Sequence, residues 1–335
     1  MREWAAGLLV AVPFVLGAAG SGSADRDEVF RFADPEIIES SGLVVADGLV
    51  VTVNDSGYSA RVFTVDLDSG RTVGTTSWDG AAEDIEALAP AGAGVVWAGD
   101  IGDNYERRET VTVTRVPYGR FTRSVAGESH QLRYPDGPRD AEALLVHPGT
   151  GRLYVVTKDV FGGSVFAAPA RLSTDRVNVL RRIGEAPGLV TDGAFLPEGD
   201  RLVLRSYGSA GVFAFPSLRR VATGALPHQQ QGEGIAVAAD GRLYLSSEGV
   251  RSALLRVDLP TDPALPAPSA NPAPDPSTAG PSASPPSDSS SDGAAPADDP
   301  SGGEDGLRRD PWPWLLGGLV GLVAVVVLVR SLRPR

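Results

Sequence analysis

Between residues 25 and 259 the sequence repeats a pair of short apolar segments five times. The two members of each pair are joined by a tight turn containing Gly or Asp, such as Asp47-Gly48. Apolar, β-branched runs separated by such turns are typical of β-hairpins. The five predicted hairpins are residues 43–46 with 49–53, 86–89 with 95–99, 142–146 with 153–157, 192–196 with 202–206, and 234–238 with 243–247.

A third strand is predicted after every hairpin, and a fourth after four of them. The last unit lacks a fourth strand, but an unassigned strand at residues 28–32 precedes the first unit and can complete it. Such closure hides the sheet edges that an open array would expose. The pattern therefore predicts an all-β, five-bladed β-propeller. Six blades are the alternative, if residues 118–138 contain an extra one.

Polar clusters precede and follow each predicted hairpin. Because a hairpin begins and ends at the same face of a propeller, these clusters are predicted to meet at one mouth of the central channel. Crowded carboxylates repel one another, and a hard divalent cation with oxygen ligands relieves that repulsion. We therefore predict a calcium site. Its candidate ligands are Asp55, Glu86, Asp100, Asp103, Asn104, Glu142, Asp192 and Glu233.

The segment from Asp100 to Asn104 gives the sharpest indication of metal binding. It places three oxygen-bearing side chains in one Gly-containing loop, although it lacks the spacing of a helix-loop-helix calcium site. The alternative for all these acids is structural, since Asp and Asn often cap turns and form hydrogen bonds between neighbouring loops.

Lys158 is the single lysine among 30 basic residues, and it falls at the predicted mouth. A compact ammonium there either contacts a phosphate or carboxylate ligand or neutralises Asp159 and Asp140. The predicted ligand contacts are Lys158, Arg205, Glu248 and Asn54. Arg107 and Arg108, in the loop after Asn104, are weaker candidates because exposed arginines are usually only solvated.

Composition excludes several classes of function. The net charge of −12 argues against a nucleic-acid partner, whose phosphates would be repelled. The chain contains no cysteine and no Gly-x-Ser-x-Gly elbow, so thiol catalysis and a serine hydrolase are not supported. Of the three histidines, only His228 is predicted near the mouth, and a zinc site is equally unsupported.

The two ends of the chain predict export and anchoring. Residues 1–24 resemble a secretory signal, with an uncleaved membrane anchor as the alternative. Residues 260–311, rich in Pro, Ala, Ser and Asp, predict a disordered stalk. The uncharged run from Trp312 to Val329 predicts a transmembrane helix, and the basic residues 330–335 predict a cytoplasmic tail. The expected location is the cell membrane, with a monomeric propeller, residues 25–259, outside.

Several motifs together resemble a known family. They are Asn54-Asp55-Ser56-Gly57, Asp84-Ile-Glu86-Ala, Gly99-Asp100-Ile-Gly-Asp103-Asn104, Thr157-Lys158 and Gly232-Glu233. This set resembles exported bacterial β-propellers of unsettled function, sometimes labelled phytase-like or esterase-like, over residues 36–258. The resemblance implies the propeller fold. Phytase propellers hold several calcium ions and basic side chains around a phosphate, and here Lys158 and Arg205 are the matching cations.

Two functions follow as expectations. The leading one is a calcium-supported binding module, displayed on a stalk, that captures an envelope partner or a small anionic ligand. The alternative is a metal-dependent hydrolase of phosphate or carboxylic esters, in which the metal polarises the ester and Lys158 stabilises developing charge.

Overall fold

The computed structural model describes residues 26–55, 59–80 and 82–261. All regular structure in these ranges is β-strand, and none of the described residues forms a helix able to cross a membrane. The predicted signal at residues 1–24, nearly all of the predicted stalk, the predicted transmembrane helix at 312–329 and the tail at 330–335 lie outside the described residues.

Within the described residues, twenty-two strands form five mainly antiparallel sheets, one per blade. The first strand in the chain is β1 (Arg26–Arg31). Blade 1 contains β2 (Ser40–Ala46), β3 (Leu49–Asn54), β4 (Arg61–Asp66) and β5 (Thr72–Trp78). Blade 2 begins with β6 (Ile85–Pro90), β7 (Val95–Asp100) and β8 (Val111–Pro117); after the short β9 (Thr122–Val125), it is completed by β10 (Glu128–Arg133).

The remaining blades repeat the same order. Blade 3 contains β11 (Ala141–Val146), β12 (Leu153–Thr157) and β13 (Ser164–Ala167), and after the short β14 (Asn178–Val179) it is completed by β15 (Arg181–Glu185). Blade 4 contains β16 (Val190–Phe195), β17 (Arg201–Ser206), β18 (Ser209–Ala214) and β19 (Arg219–Ala225). Blade 5 contains β20 (Gly232–Val237), β21 (Leu243–Ser247) and β22 (Ala253–Val257).

The N-terminal strand closes the ring, as predicted. β1 pairs antiparallel with β22 and supplies the fourth strand of blade 5. Phe30 within β1 and Phe32 just after it are buried in the core and contact each other edge to face, with ring centroids 5.3 Å apart. The closure therefore combines a hydrogen-bonded ladder with aromatic burial.

The alternative of six blades is wrong. Residues 118–138 contain β9, which pairs in parallel with β5 of blade 1, and β10, which is the outer strand of blade 2. This segment extends two existing sheets and does not form a new one, so the chain is a five-bladed β-propeller.

The hydrophobic core is divided into five clusters, one between each pair of neighbouring blades. Successive side chains of a strand point to opposite faces of its sheet, so each inner strand serves two clusters. In β11, Leu144 packs between blades 2 and 3, whereas Leu145 packs between blades 3 and 4.

The inner strands approach one another closely around the channel. A Cβ on Gly42 would lie 2.3 Å from the backbone nitrogen of Leu88 in the next blade, and one on Gly234 would lie 2.8 Å from the Ser41 carbonyl. Only glycine fits at these two positions, because real Cβ atoms essentially never approach backbone so closely. The same strands therefore meet near the ends that carry their polar residues.

Candidate functional site

Each inner strand carries a β-bulge at the end that faces the mouth. In β6 the pairing passes from Ile85 with Asp100 directly to Ala87 with Gly99, which leaves Glu86 without a cross-strand partner. Glu142 in β11 and Glu233 in β20 lie in the same kind of register shift. A bulge redirects the extra side chain out of the regular alternation. The bulges therefore explain how three glutamates are set at the mouth.

Blade 4 differs from this arrangement. Its register shift skips Thr191, while Asp192 pairs with Arg205 in the ladder. Thr191 therefore occupies the position equivalent to Glu142, and the predicted metal ligand Asp192 lies one residue beyond the bulge, inside the ladder. The Thr191 hydroxyl hydrogen-bonds to the carbonyl oxygens of Gly232 and Glu233 in blade 5.

Asp192 is fully buried and joins two blades. One carboxylate oxygen accepts a hydrogen bond from the amide of Gly193 at 2.7 Å, and the other accepts one from the amide of Ile235 at 2.8 Å. Burial raises the pKa of Asp192 well above its ordinary value. This geometry matches the structural alternative considered for the acids.

Asp55, Asp84 and Glu86 form the tightest acidic group. Each offers a carboxylate oxygen, and these three oxygens all lie within 4.8 Å of one another. Two oxygens bound at about 2.4 Å to the same calcium ion can be at most about 4.8 Å apart. The group, which we call the acidic triad, is therefore compact enough to hold one metal ion.

A glycine makes room for the acidic triad. A Cβ on Gly102 would lie 2.4 Å from a carboxylate oxygen of Asp84 and 2.9 Å from Cγ of Glu86. The Asp84 carbonyl also accepts a 3.1 Å hydrogen bond from the Gly102 amide. The loop after β7 thus packs directly against the side chains of two triad members.

The carboxyl groups at the mouth raise one another's pKa values. Burial raises the pKa of Glu86 far above its ordinary value, and the nearby charges of Glu142, Asp55 and Asp84 add to this effect. Burial likewise raises the pKa of Glu233 to about 7, and burial with the charges of Asp55 and Glu39 raises that of Glu248 to about 6. These carboxyl groups are electrostatically unfavourable as anions until a cation joins them.

Lys158 forms an ion pair with Glu142 at the mouth, rather than with the predicted partners Asp159 and Asp140. Its ammonium also lies 5.4 Å from the ring centroid of Tyr207, a distance that permits a cation–π contact. Burial lowers the pKa of Lys158, but the attraction of Glu142 outweighs it and raises this pKa above its ordinary value. Lys158 is therefore charged and held in place.

Asp100 and Asp103 hold the loop between β7 and β8. Asp100 accepts hydrogen bonds from the amides of Asp84, at 2.9 Å, and Glu83, at 3.3 Å, and forms a 2.8 Å ion pair with Arg108. Asp103 accepts a 2.7 Å bond from the Arg108 amide. These two predicted metal ligands therefore act on the backbone around the triad.

The four other predicted site residues have different surroundings. The Arg205 guanidinium is fully buried and donates to the carbonyl oxygens of Gly234, at 2.6 Å, and Ser246, at 2.8 Å. The Asn54 amide bonds to the backbone around β2, and Asn104 is exposed. Arg205 and Asn54 are thus engaged in structural bonds, while Glu248 lies near the cluster and interacts with Lys158.

Sequence reasoning missed three residues of the site. Asp84 was noted only as part of a motif, although its position two residues before Glu86 is a usable signal. Nothing in the sequence pattern singles out Tyr207, whose ring centroid lies 5.4 Å from the Lys158 ammonium. Arg108 was expected to be solvated, but its side chain is only 12 % exposed in its ion pair with Asp100.

The opposite end of the channel is apolar. It contains a cavity of about 600 Å³ lined by residues of all five inner strands, among them Val45, Pro90, Val146, Phe195 and Val237. The polar and titratable chemistry is therefore concentrated at the mouth.

The sequence and the structure were compared with known proteins. No protein-family model and no curated protein matches the sequence. Among solved structures, the chain is similar to a gluconolactonase from Xanthomonas campestris, with 15 % sequence identity and a TM-score of 0.43 over 71 % of this chain and 91 % of that one.

Proposed function

We propose that the protein is a β-propeller binding module whose mouth is completed by one calcium ion held on the acidic triad. The observation that carries this proposal is the convergence of Asp55, Asp84 and Glu86, whose oxygens fit around a single ion. The electrostatic partners that raise the pKa of Glu86 are themselves acidic, namely Glu142, Asp55 and Asp84. A divalent cation is the direct way to neutralise such a group.

Calcium suits the donors better than the other biological metals. The triad offers only carboxylate oxygens, which favour hard cations such as calcium and magnesium. Calcium accepts six to eight oxygens in flexible geometry, whereas magnesium demands a near-ideal octahedron. The three carboxylates come from two blades and from separate segments of the chain. Such a set matches the flexible coordination geometry of calcium better than the octahedron of magnesium.

The ion would also provide the binding surface. Three protein carboxylates leave coordination positions that water or a ligand oxygen can fill. A small anionic ligand or the oxygen atoms of an envelope component would bind there, beside Glu248 and Lys158. The predicted signal, stalk and anchor would place this mouth at the cell surface, tethered by residues 312–329.

Titration calorimetry with calcium tests the proposal. The full-length protein should bind calcium, and Glu86→Gln should weaken that binding at least tenfold because it removes a triad charge while keeping its shape. Asp240→Asn is a matched control, since Asp240 lies in the turn between β20 and β21, at the end of that hairpin opposite the mouth. Undiminished binding in Glu86→Gln, or no binding by the wild type, would contradict the proposal.

A metal-dependent ester hydrolase is the second candidate, and Glu233 favours it. Burial raises its pKa to about 7, and its buried Oε2 atom has no hydrogen-bond partner in the part of the chain that the structure describes. A carboxylate with a pKa near neutrality is suited to accept a proton from an attacking water. The ion on the triad would polarise the ester, and Lys158 would stabilise developing negative charge.

A turnover screen separates the two candidates. Phosphate monoesters, carboxylic esters and lactones would be incubated with the protein in calcium and in chelator. Calcium-dependent turnover that Glu233→Gln abolishes would establish the hydrolase, whereas calcium binding without turnover of any substrate would favour the binding module.

A further inference from the structure

The apolar cavity at the end of the channel opposite the mouth has no part in the proposed function. Its volume of about 600 Å³ lies within the range of about 300–1,000 Å³ that is typical of small-molecule sites. Twenty-five of the described residues line it, and among them only Trp97 and Arg115 carry a polar side-chain atom. A ligand there must be mostly apolar, because the walls offer few partners for the hydroxyl groups of a sugar.

Arg115 reaches the rim of this cavity from a strand farther from the channel. It lies on β8 and is paired across the ladder with Trp97 of β7. Its guanidinium carbon lies over the Trp97 ring, 5.6 Å from the ring centroid, and its Nη2 atom donates a 3.3 Å hydrogen bond to the carbonyl oxygen of Ala91. Ala91 belongs to the turn after β6 and itself lines the cavity. The guanidinium is therefore placed at the cavity rim.

The Arg115 guanidinium retains donors for a further partner. Its Nη1 atom is 3.9 Å from Oε2 of Glu128, which is too long for a hydrogen bond. Both side chains of this ion pair are about half exposed, and such pairs contribute little. Of the five N–H donors of a guanidinium, the bond to Ala91 uses one. A carboxylate can therefore bind Arg115 through two parallel hydrogen bonds.

We propose that this cavity binds a small amphipathic carboxylate of the fatty-acid class. Its alkyl chain would lie among the inner strands, and its carboxylate would bind Arg115. Burial of the alkyl chain is favourable in proportion to its apolar area, and an apolar cavity provides few hydrogen bonds to the water that the chain would displace. Because the cavity and the acidic triad lie at opposite ends of the channel, this site goes beyond the proposed function and does not require calcium.

Photo-crosslinking of the full-length protein tests the proposal. The probe is octanoate with a diazirine group in its alkyl chain, and the labelled peptides are identified by mass spectrometry. Labels should fall on turns that line the cavity, such as residues 89–92 and 194–197, and unmodified octanoate should compete for them. Acetate, which lacks the apolar chain, and octanol, which lacks the charge, should compete at least about tenfold less well.

Three variants test the role of Arg115. Arg115→Gln should raise the octanoate concentration that halves the labelling by at least about tenfold, because it removes the charged donors. Arg152→Gln is the matched control and should leave this concentration unchanged, since Arg152 also lies over an aromatic ring, that of Tyr154, but does not line the cavity. Glu128→Gln should lower the concentration by up to about fivefold, because it removes the carboxylate that competes for Arg115.

The outcomes either support the inference or overturn it. Labels that fall only outside the cavity, for example in the apolar run at 312–329, overturn it, and so does equal competition by octanoate and octanol. An Arg115→Gln variant that folds and competes like the wild type also overturns it. If Arg115→Gln does not fold, stronger competition in Glu128→Gln supports the inference, and unchanged competition overturns it. None of these measurements involves calcium, so their failure leaves the proposed function intact.

Discussion

Asp192 of blade 4 accepts a 2.8 Å hydrogen bond from the backbone amide of Ile235 in blade 5. Its other oxygen accepts the Gly193 amide, so Asp192→Ala would leave two buried amides without partners. Each such loss costs about 1–3 kcal/mol. We expect the free energy of unfolding to fall by about 2–6 kcal/mol, measured by urea denaturation. The calcium affinity should be unchanged, and a variant with native stability would show that the bond is dispensable.

Calcium should raise the melting temperature of the wild type. A ligand of the folded state adds about 2.7 kcal/mol at a concentration 100 times its Kd. In a domain of this size that corresponds to a gain of about 5–10 °C, which chelator should reverse. Differential scanning calorimetry measures the gain, and Glu86→Gln, with at least tenfold weaker binding, should reduce it to about half or less.

Asp100→Asn provides the contrast to Glu86→Gln. Because Asp100 bonds to backbone amides and to Arg108, its substitution should lower the melting temperature with and without calcium by a similar amount. The difference produced by calcium should remain. A calcium response lost in Asp100→Asn but kept in Glu86→Gln would reverse the assignment of the two acids.

Gly102→Ala should weaken calcium binding without unfolding the chain. Its added Cβ would lie 2.4 Å from Asp84 and must displace that carboxylate from the triad. A loss of about 10–100-fold in affinity is typical when groups supporting metal ligands are disturbed. Gly208→Ala is the matched control, since a Cβ there meets no atom within 4 Å. Equal affinity in both variants would mean that Asp84 does not bind the ion.

The metal-free protein should lose stability as the pH rises from about 4.5 to about 7. The pKa of Glu233 rises on folding from 4.5 to about 7 and that of Glu248 from 4.5 to about 6, so the folded state binds more protons in this window. Stability from a raised pKa is present below the unfolded value and is lost as the pH passes the folded value. Calcium should reduce this loss. Thermal unfolding across the window checks the sign, and rising metal-free stability would contradict it.

Removing residues 1–32 should prevent stable folding. The deletion takes away β1, opens the edge of β22 and exposes the pocket that Phe30 and Phe32 fill. The burial of two phenylalanines alone contributes about 3–6 kcal/mol, a large part of the 5–15 kcal/mol typical of a domain. Circular dichroism and calorimetry of the truncated chain test this. A chain of residues 26–261, which keeps β1, is the control and should melt cooperatively.

The sequence predicted the fold because the propeller repeats its signal. Five hairpins, their Gly-containing turns and the leftover strand before the first unit are all visible as local patterns. The same patterns brought Glu86, Glu142 and Glu233 to one mouth. The sequence did not show which acids face the metal position and which form structural hydrogen bonds, because this depends on the register of β16 and on contacts between distant loops. Because the bulge of β16 falls at Thr191, Asp192 lies in the ladder and joins two blades by hydrogen bonds. The ion pair between Arg108 and Asp100 forms only when the loop between β7 and β8 is folded.

The bulges of the inner strands have a consequence for how this surface can change. A residue inside a bulge, such as Glu142, takes no part in the cross-strand ladder, so its replacement leaves the sheet's own hydrogen bonds in place. Within one inner strand, the bulge residue therefore determines the charge of the mouth, and the other residues form the hydrogen bonds of the sheet. One-residue changes at the five bulges would be enough to turn an acidic mouth into a neutral or basic one, and the ring of blades could be inherited intact by proteins that recognise quite different molecules.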